Sequence, residues 1–171
     1  MNLLSFSLLN VFRKPLPMVL KNEIMDKISA SSTWRWYGYN DSMVIIDGLN
    51  IQSVSGGGHF GGGLFINSED HARFGLLFLR DGIWNGERLI SSDWIKRATK
   101  PSKNNPSYGY MWWLNKDKRK WDGLSNNIYY GSGFGGNYII IIPDNNMVIV
   151  ARWINSNKIG DFVKKVIEAH K

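Results

Sequence analysis

Residues 131–142 read Gly131-Ser132-Gly133-Phe134-Gly135-Gly136-Asn137-Tyr138-Ile139-Ile140-Ile141-Ile142. Gly131, Gly133 and Gly136 satisfy G-x-G-x-x-G, the spacing of a dinucleotide-binding loop. That chemistry needs a strand before the glycines and a helix after them, so that a helix N-terminus meets the pyrophosphate. Here an aromatic residue and four isoleucines follow, closed by Pro143-Asp144-Asn145-Asn146. β-Branched residues bounded by a turn signal form a strand, not a helix start. About 20 residues on, where a ribose-binding acid is wanted, stands Met147-Val148-Ile149-Val150-Ala151-Arg152-Trp153, a second strand. The nucleotide reading fails on context, and the glycines need another use.

Working outward, strands at 137–142 and 147–153 joined by Asp144-Asn145-Asn146, with a third at 108–114, predict a three-strand antiparallel meander. A helix from about 158 closes the chain. Upstream, 3–12 reads as an amphipathic core helix, and Leu16, Val19, Leu20, Ile24 and Ile28 give 16–28 helical spacing after Pro15 and Pro17. Ser68 suits an N-cap, with Glu69 and Asp70 at the positive end of the helix dipole, and that helix stops near Asp81-Gly82. Ser91 or Ser92 caps a further helix through about Thr99, while Asp47-Gly48 and Asn85-Gly86 mark turns. The fold class is α+β, with an antiparallel sheet flanked by helices in a single domain, 1–171.

The chain has 171 residues, 43% hydrophobic and 20% charged, which is globular composition. It contains no cysteine, so disulfides, thiolate metal sites and thiol nucleophiles are excluded. The net charge of +7 raises the question of nucleic acid. Lysines and arginines are scattered, however, apart from Lys116, Lys118, Arg119 and Lys120 in a predicted loop, and no aromatic platform accompanies them. A solvated loop is the better reading, and no nucleic-acid partner is expected. The N-terminal run carries its positive charges after the apolar stretch, opposite to a signal peptide. It is also shorter than the ~20 apolar residues of a spanning helix. No export signal or transmembrane segment is expected, and the compartment stays open.

None of the three histidines sits in H-E-x-x-H, so neither metal nor cofactor is expected. His71 follows a helix cap and reads as a surface or packing residue. His59 lies within Ser55-Gly56-Gly57-Gly58-His59-Phe60-Gly61-Gly62-Gly63, where six glycines suit close passage of backbone past something; a pocket role and a structural role are both open. Neither G-x-S-x-G nor S-x-x-K occurs. Trp112 and Trp113 alternate on a strand, so one faces the core whatever the other does.

Three stretches taken in series resemble the C-terminal part of the serine β-lactamase-like hydrolases. They are residues 55–91, residues 108–115 and residues 131–153. The family includes class C β-lactamases, D-alanyl-D-alanine carboxypeptidases, carboxylesterases and nylon-oligomer hydrolases. The resemblance implies a β-lactamase/transpeptidase-like fold, present here as an incomplete C-terminal portion. Of the family's three motifs (Ser-x-x-Lys, a tyrosine motif and a Lys-Thr-Gly-like triplet on a strand) only the third has a counterpart. Gly131-Ser132-Gly133 stands in its place, similar to the esterase and nylon-hydrolase branches.

Acyl transfer through serine builds a tetrahedral oxyanion, which fixed backbone donors stabilise. By resemblance the Phe134 N–H is one such donor, with Gly133 and Gly135 beside it clearing the approach. His59, Gly131, Ser132, Asn137 and Trp112 are the remaining pocket candidates. The second donor of the family site is the amide of the nucleophile, for which this chain offers no counterpart. The resemblance thus implies a small-molecule acyl substrate for an intact relative, with no turnover by this chain alone. It leaves room for pairing with an N-terminal half or for self-association. The alternative is a non-catalytic peptide- or glycan-binding module using His59, Trp112 and the glycine-rich loops.

Overall fold

The apolar run that opens the chain forms helix α1 (Asn2–Phe12), yet it is not the core helix its composition predicts. Only Ser5 and Leu9 are buried, while Leu3 and Val11 are 76% and 75% exposed and Leu4, Phe6 and Phe12 stand open as well. Apolar residues surround this helix on all sides, so a single packed stripe leaves most of them uncovered. The computed structural model describes residues 2–55, 63–116 and 120–170, and the chain divides into two compact units, Met1–Asp70 and His71–Lys171.

In the first unit α1 is followed by α2 (Leu16–Leu20), with Pro17 in its first turn. The helix expected over 16–28 does not continue as α-helix. It widens into a π turn at Lys21–Met25, closed by Asp26 N–H donating to Lys21 O at 2.9 Å. The wider turn leaves Met25 and Ile28 both buried. Strands β1 (Arg35–Tyr37), β2 (Met43–Ile46), β3 (Leu49–Gln52) and β4 (Gly63–Phe65) follow. β2 and β3 form a hairpin through Asp47-Gly48, both at positive φ as a two-residue primed turn requires. β1 pairs antiparallel with β4. Leu9, Leu16, Ile46, Ile51 and Val54 make this unit's core.

Helix α3 (Ser68–Leu79) is capped one residue earlier than expected: Asn67 Oδ1 accepts from Asp70 N–H at 2.7 Å. Asp70 is buried and accepts from Ser31 N–H at 2.9 Å and Asn67 Nδ2 at 2.8 Å. A carboxylate so placed ties the helix start to the 31–33 turn instead of facing solvent.

The second unit is built on a four-stranded antiparallel sheet, one strand more than the predicted meander. After the short hairpin of β5 (Ile83–Trp84) and β6 (Glu87–Arg88), Ser91 Oγ caps α4 (Ser92–Ala98) by accepting Trp94 N–H at 3.1 Å. The sheet consists of β7 (Trp113–Leu114), β8 (Tyr129–Gly133), β9 (Asn137–Ile142) and β10 (Met147–Ala151), in the order β10-β9-β8-β7. The third strand is thus two residues of the 108–114 expected, and the unforeseen strand is β8, which contains the glycine triplet. Helix α5 (Ile159–Ala169) ends the unit.

The isoleucine run now has a cause. Tyr138, Ile140 and Ile142 point to one face, where Ile159 and Val163 of α5 cover them with Trp121. Ile139 and Ile141 point to the other, against Phe78 of α3 and Ile95 and Ala98 of α4. A strand covered on both faces reads as continuous apolar sequence because neither face meets water.

Candidate functional site

The glycine-rich stretch is a β-hairpin. β8 and β9 pair from Tyr129↔Ile141 to Gly133↔Asn137, leaving Phe134-Gly135-Gly136 as the turn. Gly135 and Gly136 have φ of 77° and 78°, so the turn uses the left-handed region twice in succession. Gly136 has a second constraint: a Cβ there would lie 2.1 Å from Ile154 O, while Ile154 N–H donates to Gly136 O at 3.1 Å. Its lack of a side chain serves backbone packing. Gly131 faces Ile139 Cγ2 at 2.9 Å for the same hypothetical Cβ. At Gly133 a Cβ would meet only ordinary contacts, 3.6 Å from Asn137 Cβ, so that side of the strand is open.

Side chains brace the turn from behind. Asn137 Nδ2 donates to Phe134 O at 2.7 Å, and Arg152 Nη1 donates to Asn137 Oδ1 at 3.5 Å. Arg152 Nη2 lies 3.0 Å from His71 Nδ1. A guanidinium is donor-only, so His71 Nδ1 accepts and its proton sits on Nε2. Burial, followed by the Arg152 charge, holds the His71 pKa down at about 4. His71 is therefore a neutral hydrogen-bond acceptor at pH 7 that holds Arg152 in place, a packing role with a specific partner. Phe134 itself is 83% exposed, and its backbone N–H has no acceptor among the described residues.

On the open side, β7 pairs only with Tyr129 and Tyr130. Gly131–Gly133 therefore has a strand neighbour on one side alone among the described residues. Ser132 lines a cavity of about 340 Å³ with Trp113, Tyr130, Tyr138, Ser107 and Lys120. Burial, then Tyr138, pushes the Tyr130 phenol up to about 12. Tyr130 is thus a neutral hydroxyl at physiological pH, able to donate a hydrogen bond and unable to act as a phenolate base.

Of the residues singled out in the sequence, the hairpin brings together Gly131, Ser132, Gly133, Phe134, Gly135 and Asn137. Trp112 is a correction. It is 7% exposed and packs on Phe78 and Tyr129 at ring distances of 4.8 and 5.2 Å, so it belongs to the core. The strand alternation turns Trp113, 39% exposed, toward the Ser132 cavity instead. His59 lies outside the described residues. Sequence reading missed Tyr130, Tyr138 and Arg152. The first two could have been found had Tyr129-Tyr130 been joined to the glycines as one strand. Among the described residues no group of three or more His, Asp or Glu could hold a metal ion. No single helix there is long and apolar enough to cross a membrane, although Asn2–Phe12 and Leu16–Met25 pass by length and composition as a pair bent by 74°.

No protein-family model matches the chain. It is 23% identical to an uncharacterized protein of Alkalihalophilus pseudofirmus, over 51% of this chain and 29% of that protein. Among solved structures it is similar to a protein assigned as a 6-aminohexanoate-dimer hydrolase from Bacillus anthracis, with 25% identity, a TM-score of 0.49, and coverage of 64% of this chain and 29% of the other. It is also similar to a protein assigned as a beta-lactamase from Bacteroides dorei, with 13% identity, a TM-score of 0.47, and coverage of 73% and 45%. The chain spans less than half the length of each of these proteins.

Proposed function

We propose that this chain is the C-terminal, oxyanion-side part of a serine hydrolase of the β-lactamase-like family, acting on an ester, amide or β-lactam in its intact form. The observation that carries the reading is the Phe134 N–H, free of any acceptor among the described residues, at the tip of a strand whose outer edge is open. A donor in that position is held before the reaction begins, by Asn137 on the Phe134 carbonyl and by two left-handed glycines. Preorganisation of this kind is what makes oxyanion donors effective, each contributing ~10²–10³ in rate. Three resembling stretches in family order support the assignment. Without Ser-x-x-Lys in its sequence, the chain alone has no acyl-enzyme step to assist.

Two measurements on the purified chain test this reading. A fluorophosphonate probe leaves the chain unlabelled and 4-nitrophenyl acetate hydrolyses at the buffer rate; labelling or turnover would overturn the inactive half of the proposal. In a ¹⁵N spectrum titrated with butyrate, standing for an acyl product, the Phe134 amide moves; an unmoved Phe134 amide in a folded chain would overturn the donor half.

A second reading, a peptide- or glycan-binding module, is supported by the cavity in which Trp113 and Tyr130 flank Ser132. Heat without turnover on calorimetric titration with cell-wall fragments favours it, and silence removes it.

A further inference from the structure

The turn that presents the Phe134 N–H has little of its own to hold it. Phe134 is 83% exposed, so its ring is no anchor, and Gly135 and Gly136 have left-handed backbone at φ of 77° and 78°. Glycines reach that conformation easily and leave it as easily. The β8–β9 ladder ends at Gly133↔Asn137, and Ile154 N–H holds Gly136 O at 3.1 Å. Phe134 and Gly135 are left between two fixed ends. The Asn137 amide lies against them: a Cβ on Gly135 would stand 3.7 Å from Asn137 Nδ2.

Which way that amide faces is decided from α3. A guanidinium carries donors only, so Arg152 Nη1, at 3.5 Å from Asn137 Oδ1, admits the oxygen and repels the NH₂. Nδ2 is thereby turned to the far side, where it donates to Phe134 O at 2.7 Å. The other arm of the fork, Nη2, is held 3.0 Å from His71 Nδ1. His71 stands on a firm base. Gly75, one turn further along the same face of α3, meets the sheet so closely that a Cβ there would lie 2.7 Å from Val148 Cγ1 and 2.9 Å from Ile139 Cδ1. Polarity therefore runs one way: from an acceptor on a helix seated on the sheet, through a donor fork, to the Phe134 carbonyl.

We propose that Arg152 is a positioning residue for the Phe134 donor, oriented by His71 and acting through Asn137. This rests on the reading of Phe134 as an oxyanion donor. The bond to Phe134 O fixes the peptide plane after Phe134, and the Gly133↔Asn137 pair fixes the strand before it. The N–H between them keeps one direction. A donor aimed in advance needs no ordering at the moment an oxyanion forms.

The test uses the ¹⁵N-labelled full chain. The order parameters of the Phe134 and Gly135 amides are the first readout, and butyrate affinity at the Phe134 amide is the second. Both amides are rigid in the wild type, at about 0.85, and fall below about 0.6 in Arg152→Met. Arg152→Lys, which keeps stem and charge without the fork, loosens them in the same direction. His71→Leu also loosens the turn, and His71→Asn, which sets an oxygen where Nδ1 stands, restores it. Asn137→Ala and the Asn137→Ala/Arg152→Met double variant are equally loose, because either change breaks the same chain of bonds. Butyrate binding weakens about fivefold in Arg152→Met, the scale of one lost hydrogen bond. Wild-type rigidity in both Arg152 variants would overturn the proposal. So would a His71→Asn turn as loose as that of His71→Leu, or a double variant looser than Asn137→Ala. A wild-type Phe134 amide that ignores butyrate removes the donor reading instead, and the order parameters still decide whether Arg152 positions the turn.

Discussion

Two stretches of this chain are rich in large apolar residues and have opposite fates. In β9, every residue from Tyr138 to Ile142 is buried. In α1, Ser5 and Leu9 alone are buried, and the large apolar residues around them stay exposed. The difference lies in what each element requires of its neighbours. A strand's backbone groups are satisfied only by other strands, so β9 sits between β8 and β10 before its side chains are considered. Helices α3 and α4 on one face and α5 on the other then enclose it. A helix bonds its own backbone and can stand with one packed stripe and an uncovered remainder. Apolar sequence therefore reports a capacity for burial, while topology decides whether the capacity is used.

The sharpest way to break this comparison is by truncation. Ile141→Ala is expected to cost about 2–5 kcal/mol, the range for cavities in closed cores. Val11→Ala stays within about 0.5 kcal/mol, the range for surface positions. Urea denaturation of both variants measures the gap; equal losses would mean that α1 is covered in solution.

Next in size is the pH dependence carried by His71. Its folded pKa of about 4 lies below the ordinary histidine value of 6.5. Protonation is therefore resisted in the folded chain and free in the unfolded one. The stabilisation is fully present above pH 6.5 and is lost as pH falls from there to about 4, on the order of 3 kcal/mol in all. His71→Gln flattens that limb of the stability profile. A limb of unchanged steepness in the variant would show that His71 does not carry it.

Smaller still is the contrast between glycines of one hairpin. Gly136→Ala places Cβ against Ile154 O in a left-handed conformation and costs about 1–3 kcal/mol. Gly133→Ala meets only ordinary contacts and leaves melting unchanged within error. Thermal unfolding of the pair tests this, and the reverse order would mean that the hairpin is built differently.

Much of the fold was legible in local signals. Asp47-Gly48 and Asn85-Gly86 are turns with both residues at positive φ, Ser91 caps α4, and β9 and β10 lie where the isoleucine and valine runs predict them. Strand β8 was not legible, because its glycines suppress the β-signal that Tyr129 and Tyr130 begin. The π turn was missed because α and π spacing differ by one residue, and burial of Met25 and Ile28 decides between them. At the candidate site the sequence located the glycine stretch and the strand that follows it, β9. It did not locate Arg152 or the neutral His71, which are 81 residues apart and meet only through the fold.

By itself the sequence determined a strand at 137–142 after the glycines in place of a nucleotide loop's helix, since β-branched side chains and a Pro-Asp-Asn-Asn closure admit no helix there. Only the tertiary structure decided which tryptophan is core and which faces the cavity. Alternation along a strand sets two faces but does not say what covers either one. It likewise left the Trp121 indole N–H without an acceptor and brought it to the uncapped start of α5. The ring and the helix start come from segments about forty residues apart in the chain, a distance over which spacing rules such as helical or strand periodicity no longer apply.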